Sequence, residues 1–248
     1  MTVQDEWTAA VSRTIATMRE QIDEPHELQD IARREFMSPF HFHRVFQMVT
    51  SSTPGRFLTA LRIAKAKQLL LETSMTSTDV SIAVGYSSFG TFTTQFTKLV
   101  GMPPGRFRSS VVPISDVPVQ LLLEQMAAMP GPTRRTVCAT VGPRPDRLTA
   151  YAIVGAFSSV IPQHRPSECV VGRTPGTVCF TRPLHGRSLL AVSAHPAATV
   201  RDILTERPAA ALCIGIANAD LHIPLRPHLP TDPPVVVGFP LLGQGGRW

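Results

Sequence analysis

Along the first hundred positions apolar residues recur at spacings of three and four, the signature of amphipathic helices, and beyond about residue 115 the pattern gives way to short β-branched runs. Trp7, Val11, Ile15 and Met18 form one stripe of a helix over 7–21, and a second helix follows Pro25 over 26–35. Ser38 with Pro39 behind it signals an N-cap and first turn for a helix over 39–49. Thr53-Pro54 repeats that signal, and the helix it opens, to about residue 73, sets Phe57, Leu58, Leu61, Ala64, Leu69 and Leu70 on one broad side. Thr78 is the expected cap of a short helix ending at Gly85. Ser87 or Ser88 caps a last helix, which Gly101 stops before Pro103-Pro104.

Residues 117–129 read as a short helix or a linker, broken by Pro130-Gly131-Pro132. Strand-like runs then follow at 136–141, 151–157, 168–171, 176–181, 188–193, 211–216, 221–225 and 235–239, with Pro/Gly turns between them. Their spacing of about ten residues predicts an all-β sandwich. The expected fold class is multidomain: an all-α bundle at 1–110, a linker at 111–132, and an all-β sandwich at 133–248.

The helical half contains one pattern twice. Leu28-Gln29-Asp30-Ile31-Ala32, a break at Met37-Ser38-Pro39 and then Phe42-His43-Arg44-Val45-Phe46 make the first copy. Val80-Ser81-Ile82-Ala83-Val84-Gly85-Tyr86, a break at Ser87-Ser88 and then Phe92-Thr93-Thr94-Gln95-Phe96 make the second. A short apolar helix, a tight turn and a second helix with aromatics four apart describe a helix-turn-helix. Two such units in one chain are expected to set two helices into successive stretches of DNA major groove.

Phe42, Phe46 and Val49 form the packed side of the first recognition helix, which turns Pro39, Phe40, His43, Arg44 and Gln47 outward. Arg44 can give two parallel hydrogen bonds to guanine or neutralise a phosphate, His43 can meet a base edge, and Phe40 a thymine methyl. In the second unit Phe92, Phe96 and Val100 pack, leaving Ser88, Gly90, Thr91, Thr94 and Gln95 for the groove. This helix is poor in two-pronged donors, so backbone positioning is its expected share. Phe89 faces either the groove or the core. The helix from Pro54 spans on the order of 28 Å at about 1.5 Å per residue, close to the roughly 34 Å between major-groove segments on one face of DNA. Lys65 and Lys67 fall on its polar side, solvated or touching phosphate.

Charge placement agrees with this reading. Residues 1–32 hold two Arg against seven acids, a net of −5, and residues 33–110 hold ten Lys/Arg against three acids, a net of +7. A basic excess that starts at the first reading helix attracts phosphates and makes binding salt-dependent. With 43% apolar and 17% charged residues the chain is globular. No apolar run approaches the roughly 18 residues of a bilayer span. Asp5 and Glu6 stand where a secretory signal would be basic, so the cytoplasm, in association with the nucleoid, is the expected address. Cys138, Cys169, Cys179 and Cys213 lack CxxC spacing and are expected to be buried and reduced, with Cys169 and Cys179 facing each other across a hairpin at 172–176.

Ile31-Ala32 with Ser38, Phe42-x-Arg44-Val45-Phe46, Leu61-Arg62-Ile63-x-x-Ala66-x-x-Leu69-Leu70, Ile82-Ala83-Val84-Gly85-Tyr86, Thr91-Phe92 to Phe96 and Gly101-x-Pro103-x-x-x-Phe107-Arg108 occur in order. On these residues the stretch from about 8 to 108 resembles the DNA-binding domain of the AraC/XylS family of bacterial transcription regulators. The resemblance implies coupling of DNA binding to a small-molecule effector or to oligomerisation through the companion domain, and RNA polymerase as a possible partner. Family members often carry Gly where Phe36 stands and Arg where Thr94 stands; a φ > 0 at Phe36 would cost about 1–2 kcal/mol. The second half resembles, in general form, a β-sandwich of the transthyretin or carboxypeptidase-regulatory type, and its closing segment resembles C-terminal modules on actinobacterial members of the family.

Residues 133–242 show no paired carboxylates, phosphate-binding Gly-rich loop or catalytic triad, so no enzyme and no cofactor are expected. His41 and His43, about 200° apart on a helix, cannot share a metal ion. No Cys carries the flanking His/Arg motif of a reactive thiol. His164, Arg165, His185 and Arg187 lie in loops, as ordinary polarity or as the lining of an anion pocket. The expected function is a sequence-specific, DNA-binding transcription regulator acting on promoter or operator duplex, away from membranes. Two alternatives stay open: a non-specific architectural DNA binder, and a ligand- or protein-binding module that has lost DNA reading.

Overall fold

The computed structural model of the protein describes residues 2–128, 137–157, 166–184, 188–205 and 213–236. Seven helices come first: α1 (Val3–Glu20), α2 (Leu28–Arg34), α3 (Pro39–Thr50), α4 (Pro54–Glu72), α5 (Ser77–Ala83), α6 (Phe89–Val100) and α7 (Pro104–Val111). Their starts follow from capping chemistry. Ser38, Thr53 and Ser88 accept hydrogen bonds from the backbone N–H three residues on, and Pro occupies the first turn of α3, α4 and α7. The cap of α5 is Thr76, not Thr78: Asp79 returns a carboxylate to the Thr76 N–H, and this reciprocal pair settles which threonine starts the helix.

Two cores divide the helices, and α4 spans both. The first contains Val11, Ile15, Met18, Ile31, Phe42, Phe46, Phe57 and Leu61; the second takes Ile63, Ala66, Leu70, Val80, Phe92, Phe96 and Phe107. Positions fifty residues apart do the same work. Phe46 meets Phe57 edge-on at 5.5 Å between ring centres, as Phe96 meets Phe107 at 5.7 Å. No helix among the described residues is long and apolar enough to cross a membrane.

After a 3-10 turn at Val112–Ile114 come α8 (Val119–Ala128), β1 (Val137–Val141), β2 (Ala150–Phe157), β3 (Glu168–Thr174), β4 (Gly176–Phe180), β5 (Ser188–Ser193), α9 (Val200–Leu204), β6 (Cys213–Ile216), β7 (His222–Ile223) and β8 (Arg226–Pro227). The strands make two sheets, ordered β4-β1-β7 and β3-β2-β5-β6-β8. Ala139, Val141, Val178 and Phe180 of the smaller sheet share a core with Ala152, Val154, Leu189 and Ala191 of the larger. The other face of the larger sheet carries Ile153, Phe157, Leu190, Val192 and Ile214, and these join the second helical core. Burial on both faces explains the continuous apolar runs of β2 and β5. The C-terminal region is therefore not strand alone. Helices α8 and α9 lie against that outer face, and Val235 and Val236 are buried there without forming a strand. Positions 211–212 and 237–239 of the expected strands lie outside the described residues.

The segment expected as a linker holds Val119 and Leu123, both buried. Its backbone pairs with the β region: Val119 N–H donates to the Ala198 carbonyl at 2.9 Å, and Arg201 N–H to that of Ser115 at 2.8 Å. Lys67 corrects another expectation. It is fully buried, and its Nζ donates to the Val235 carbonyl at 3.0 Å. The C-terminal region covers α4 at Lys67 and leaves Lys65 exposed, so the Lys67 ammonium neither faces solvent nor reaches phosphate.

The cysteines also differ from expectation. Cys138 and Cys179 form a disulfide between β1 and β4, directly opposite in the antiparallel register. Cys169 sits in β3 opposite Gly155 and does not face Cys179. A pairing across 41 residues depends on strand register and leaves no trace in local spacing. Arg144, fully buried, grips both oxygens of Asp146 at 3.0 and 2.7 Å and reaches Ser193 Oγ at 3.1 Å. Those hydrogen bonds from Arg144 outweigh burial and hold the Asp146 carboxyl below its usual range.

Candidate nucleic-acid interface

On α3 the packed side is Phe42, Val45 and Phe46, all fully buried. Pro39, Phe40, Arg44 and Gln47 are exposed, Phe40 to 79%. Among the described residues Arg44 makes no hydrogen bond and no ion pair, so its guanidinium is open to a ligand. His43 is half-buried and borders a cavity of about 250 Å³, shared with Met18, His26, Leu28, Ile31 and Leu58. It stands at the flank of the exposed face, not at its centre.

On α6 Phe92 and Phe96 are fully buried, while Ser88, Gly90, Thr91 and Thr94 are exposed. Gln95 is half-buried. Phe89 is 44% exposed, with its ring 6.2 Å from that of Phe92, so it both leans on the core and shows an edge to solvent. Arg44 and Thr94 thus remain clear of the β region.

The turns before the two helices take the same backbone form. Phe36 has φ 55° and Gly85 φ 81°. A left-handed Phe is strained, and 98% exposure leaves its ring no packing that offsets the strain. Phe36→Gly is expected to raise stability by about 1 kcal/mol, since relief of strain exceeds the added chain entropy. Urea unfolding checks this; a loss of stability would mean that the phenyl ring holds the turn.

Among the described residues, three of the ten cations between residues 33 and 110 donate to backbone carbonyls of distant segments. Arg62 donates to the Ile22 and Glu24 carbonyls at 2.9 Å each, Arg108 to those of Leu70, Thr73 and Met75, and Lys67 to that of Val235. Arg56 and Arg106 are exposed at equivalent places, in the first turns of α4 and α7. The repeated Pro-Gly-Arg-Phe at 54–57 and 104–107 was the signal that marks them. Among the described residues no group of three or more His, Cys, Asp or Glu is placed to hold a metal ion. His164, Arg165, His185 and Arg187 lie outside the described residues.

Residues 31–110, which span both turns and both exposed faces, match the family described as "Helix-turn-helix domain". The uncharacterized HTH-type transcriptional regulator YobQ of Bacillus subtilis is 32% identical over 98 residues, 40% of this chain and 41% of that one. The stretch is similar to helix-turn-helix domains of transcriptional regulators. The melibiose operon regulatory protein of Escherichia coli aligns with it at 29% identity over 98 residues, 40% of this chain and 32% of that protein. Among solved structures, the DNA-binding domain of AdpA in complex with a target DNA matches 41% of this chain and 91% of its own, at 25% identity and a TM-score of 0.40. The chain spans about a third to two-fifths of the length of the curated relatives it matches. A further relative is the bifunctional transcriptional activator/DNA repair enzyme AdaA of Bacillus subtilis, 35% identical over 71 residues, 29% of this chain and 34% of that one. Here burial, aided by the charge of Glu168, pushes the Cys169 thiol up to about 12, so it stays protonated at neutral pH.

Proposed function

We propose that the protein is a sequence-specific transcription regulator that sets α3 and α6 into adjacent major-groove segments of promoter or operator DNA. The observation that carries this reading is the unpartnered guanidinium of Arg44 on the open face of α3, between exposed Phe40 and Gln47. Arg44, Phe40 and Gln47 read bases, with Pro39 and His43 at the margins of the contact. Ser88, Gly90, Thr91, Thr94 and Gln95 place the second helix. Helix α4, 19 residues long, extends about 28 Å and sets the two readers near one turn of duplex apart. Arg56 and Arg106 reach phosphates beside them. The two facing sheets support reading the C-terminal part as a β-sandwich with helices on one outer side, a module for effector sensing or oligomerisation. The expected address is the cytoplasm and nucleoid, with RNA polymerase as a partner at the promoter.

Selection from random duplexes with the full chain tests the reading. Two half-motifs about one helical turn apart are the expected product. On the selected site Arg44→Ala is expected to cost about 1–3 kcal/mol and to relax preference at one base pair. Equal losses on selected and random duplex would reduce Arg44 to a phosphate contact and favour non-specific binding.

A further inference from the structure

We infer that the seam between the first helical core and the β region holds a small-molecule site that takes a compact amphiphilic carboxylate. A cavity of about 220 Å³ lies there, lined by Arg19 and Ile22 of the α1 end, Leu61, Ala64, Lys65 and Gln68 of α4, and Thr205 just after α9. Three structural units meet at this place. Ile22 and Leu61 belong to the first core, Ala64 packs against the second, and Thr205 is part of the β region.

The wall chemistry sets the ligand class. Arg19 and Lys65 bring two cations, and no carboxylate lines the cavity among the described residues. Among the described residues Arg19 makes no ion pair and Lys65 Nζ donates to Gln68 Oε1 alone, at 3.2 Å, while the Gln68 amide donates onward to Glu72 at 2.9 Å. Ile22, Leu61 and Ala64 offer hydrocarbon, so a ligand with an anionic end and a short apolar body satisfies both surfaces. The volume lies below the roughly 300 Å³ at which drug-sized pockets begin, so the occupant is small.

Position gives the site its consequence. The second reader shares a core with the β region, whereas the first reader has a core of its own, and α4 carries both. A ligand bridging α1, α4 and the end of α9 stiffens the seam between them. It thereby biases the relative placement of α3 and α6, to which DNA affinity responds. This inference rests on the DNA-reading proposal for its effect, but not for the binding itself.

The test uses the full chain and three matched probes: hexanoate, hexanol and hexylammonium. Calorimetry or ligand-observed NMR is expected to show hexanoate binding below about 10 mM and hexylammonium failing to bind. Arg19→Gln and Lys65→Gln each weaken hexanoate at least about threefold, near the loss of one charge-assisted hydrogen bond in a wet site. Ala64→Leu, which adds bulk to the cavity wall and changes no charge, abolishes hexanoate binding. Saturating hexanoate is expected to shift the Kd for the selected duplex at least about fivefold in the unmodified protein and not in Ala64→Leu. No hexanoate binding, equal binding of all three probes, or binding that survives Ala64→Leu overturns the site. Binding as described with an unmoved Kd overturns the coupling. A chain that selects no duplex at all sinks the DNA-reading proposal instead, and the binding arm still decides the cavity.

Discussion

Gly85→Ala is expected to cost about 3 kcal/mol or more and to weaken DNA binding along with stability. Gly85 has φ 81°, where any side chain adds about 1–2 kcal/mol. Space is the larger problem. A Cβ there would stand 2.6 Å from the Asp23 carbonyl oxygen, 2.8 Å from the Asp23 Cα and 2.8 Å from Arg62 Nη2. Two of those three atoms are backbone and do not swing aside. Displacing them means loosening the α1–α2 connection from Arg62, which holds it by two carbonyls and also lies 5.9 Å from the centre of the Tyr86 ring. The second turn is thus pressed against the first unit, and the pressure point sets how the two readers sit. Phe36 supplies the control, since it has the same backbone sign but faces open solvent, so a large side chain is strained there without collision. Denaturant titration of both variants separates the two costs. A Gly85→Ala protein within about 1 kcal/mol of the parent would mean that the α1–α2 connection does not close on this turn.

What could be read beforehand was what is local. The caps Ser38, Thr53 and Ser88 and the prolines behind the first two act within one helical turn, and so do the Phe42/Phe46 and Phe92/Phe96 stripes that leave Arg44 and Thr94 exposed. Even locally, a cap is settled by a side chain beyond it, as Asp79 starts α5 at Thr76 and not at the expected Thr78. The misread residues owe their fate to partners far along the chain. Lys67 belongs to a helix whose one side looks polar, and the Val235 carbonyl, 168 residues on, accepts a hydrogen bond from its ammonium. Cys138 meets Cys179 through strand register. His43 is half-buried for a similar reason, since the walls of the cavity it borders come from α1, α2 and α4. Strand alternation did not separate the two faces of β2, because both are buried.

The tie between the two halves gives the second large effect. Arg201→Ala is expected to cost about 2–3 kcal/mol, chiefly by stripping the end of α4. The last carbonyls of a helix have no partner within it, and here arginines supply them: Arg108 from α7 donates to Leu70 at 2.8 Å, and Arg201 from α9 donates to Leu71 at 3.1 Å. Arg201 also reaches Ser115 Oγ at 2.8 Å and Asp116 Oδ1 at 3.1 Å. The contact with Asp116 resembles the main attraction, but that carboxylate is 83% exposed and its attraction is screened, worth under about 1 kcal/mol. The carbonyl and hydroxyl of the less exposed side hold the energy. Arg201→Lys therefore restores little, because the Leu71 carbonyl is met by Nη1 and Ser115 Oγ by Nη2, and a compact ammonium has no such fork of separated nitrogens. Asp116→Asn is expected to cost less than about 1 kcal/mol, and amide exchange near residues 69–73 is expected to accelerate in Arg201→Ala and not in Asp116→Asn. Should Asp116→Asn cost as much as Arg201→Ala, the halves are joined by a surface ion pair, and salt would then melt them apart.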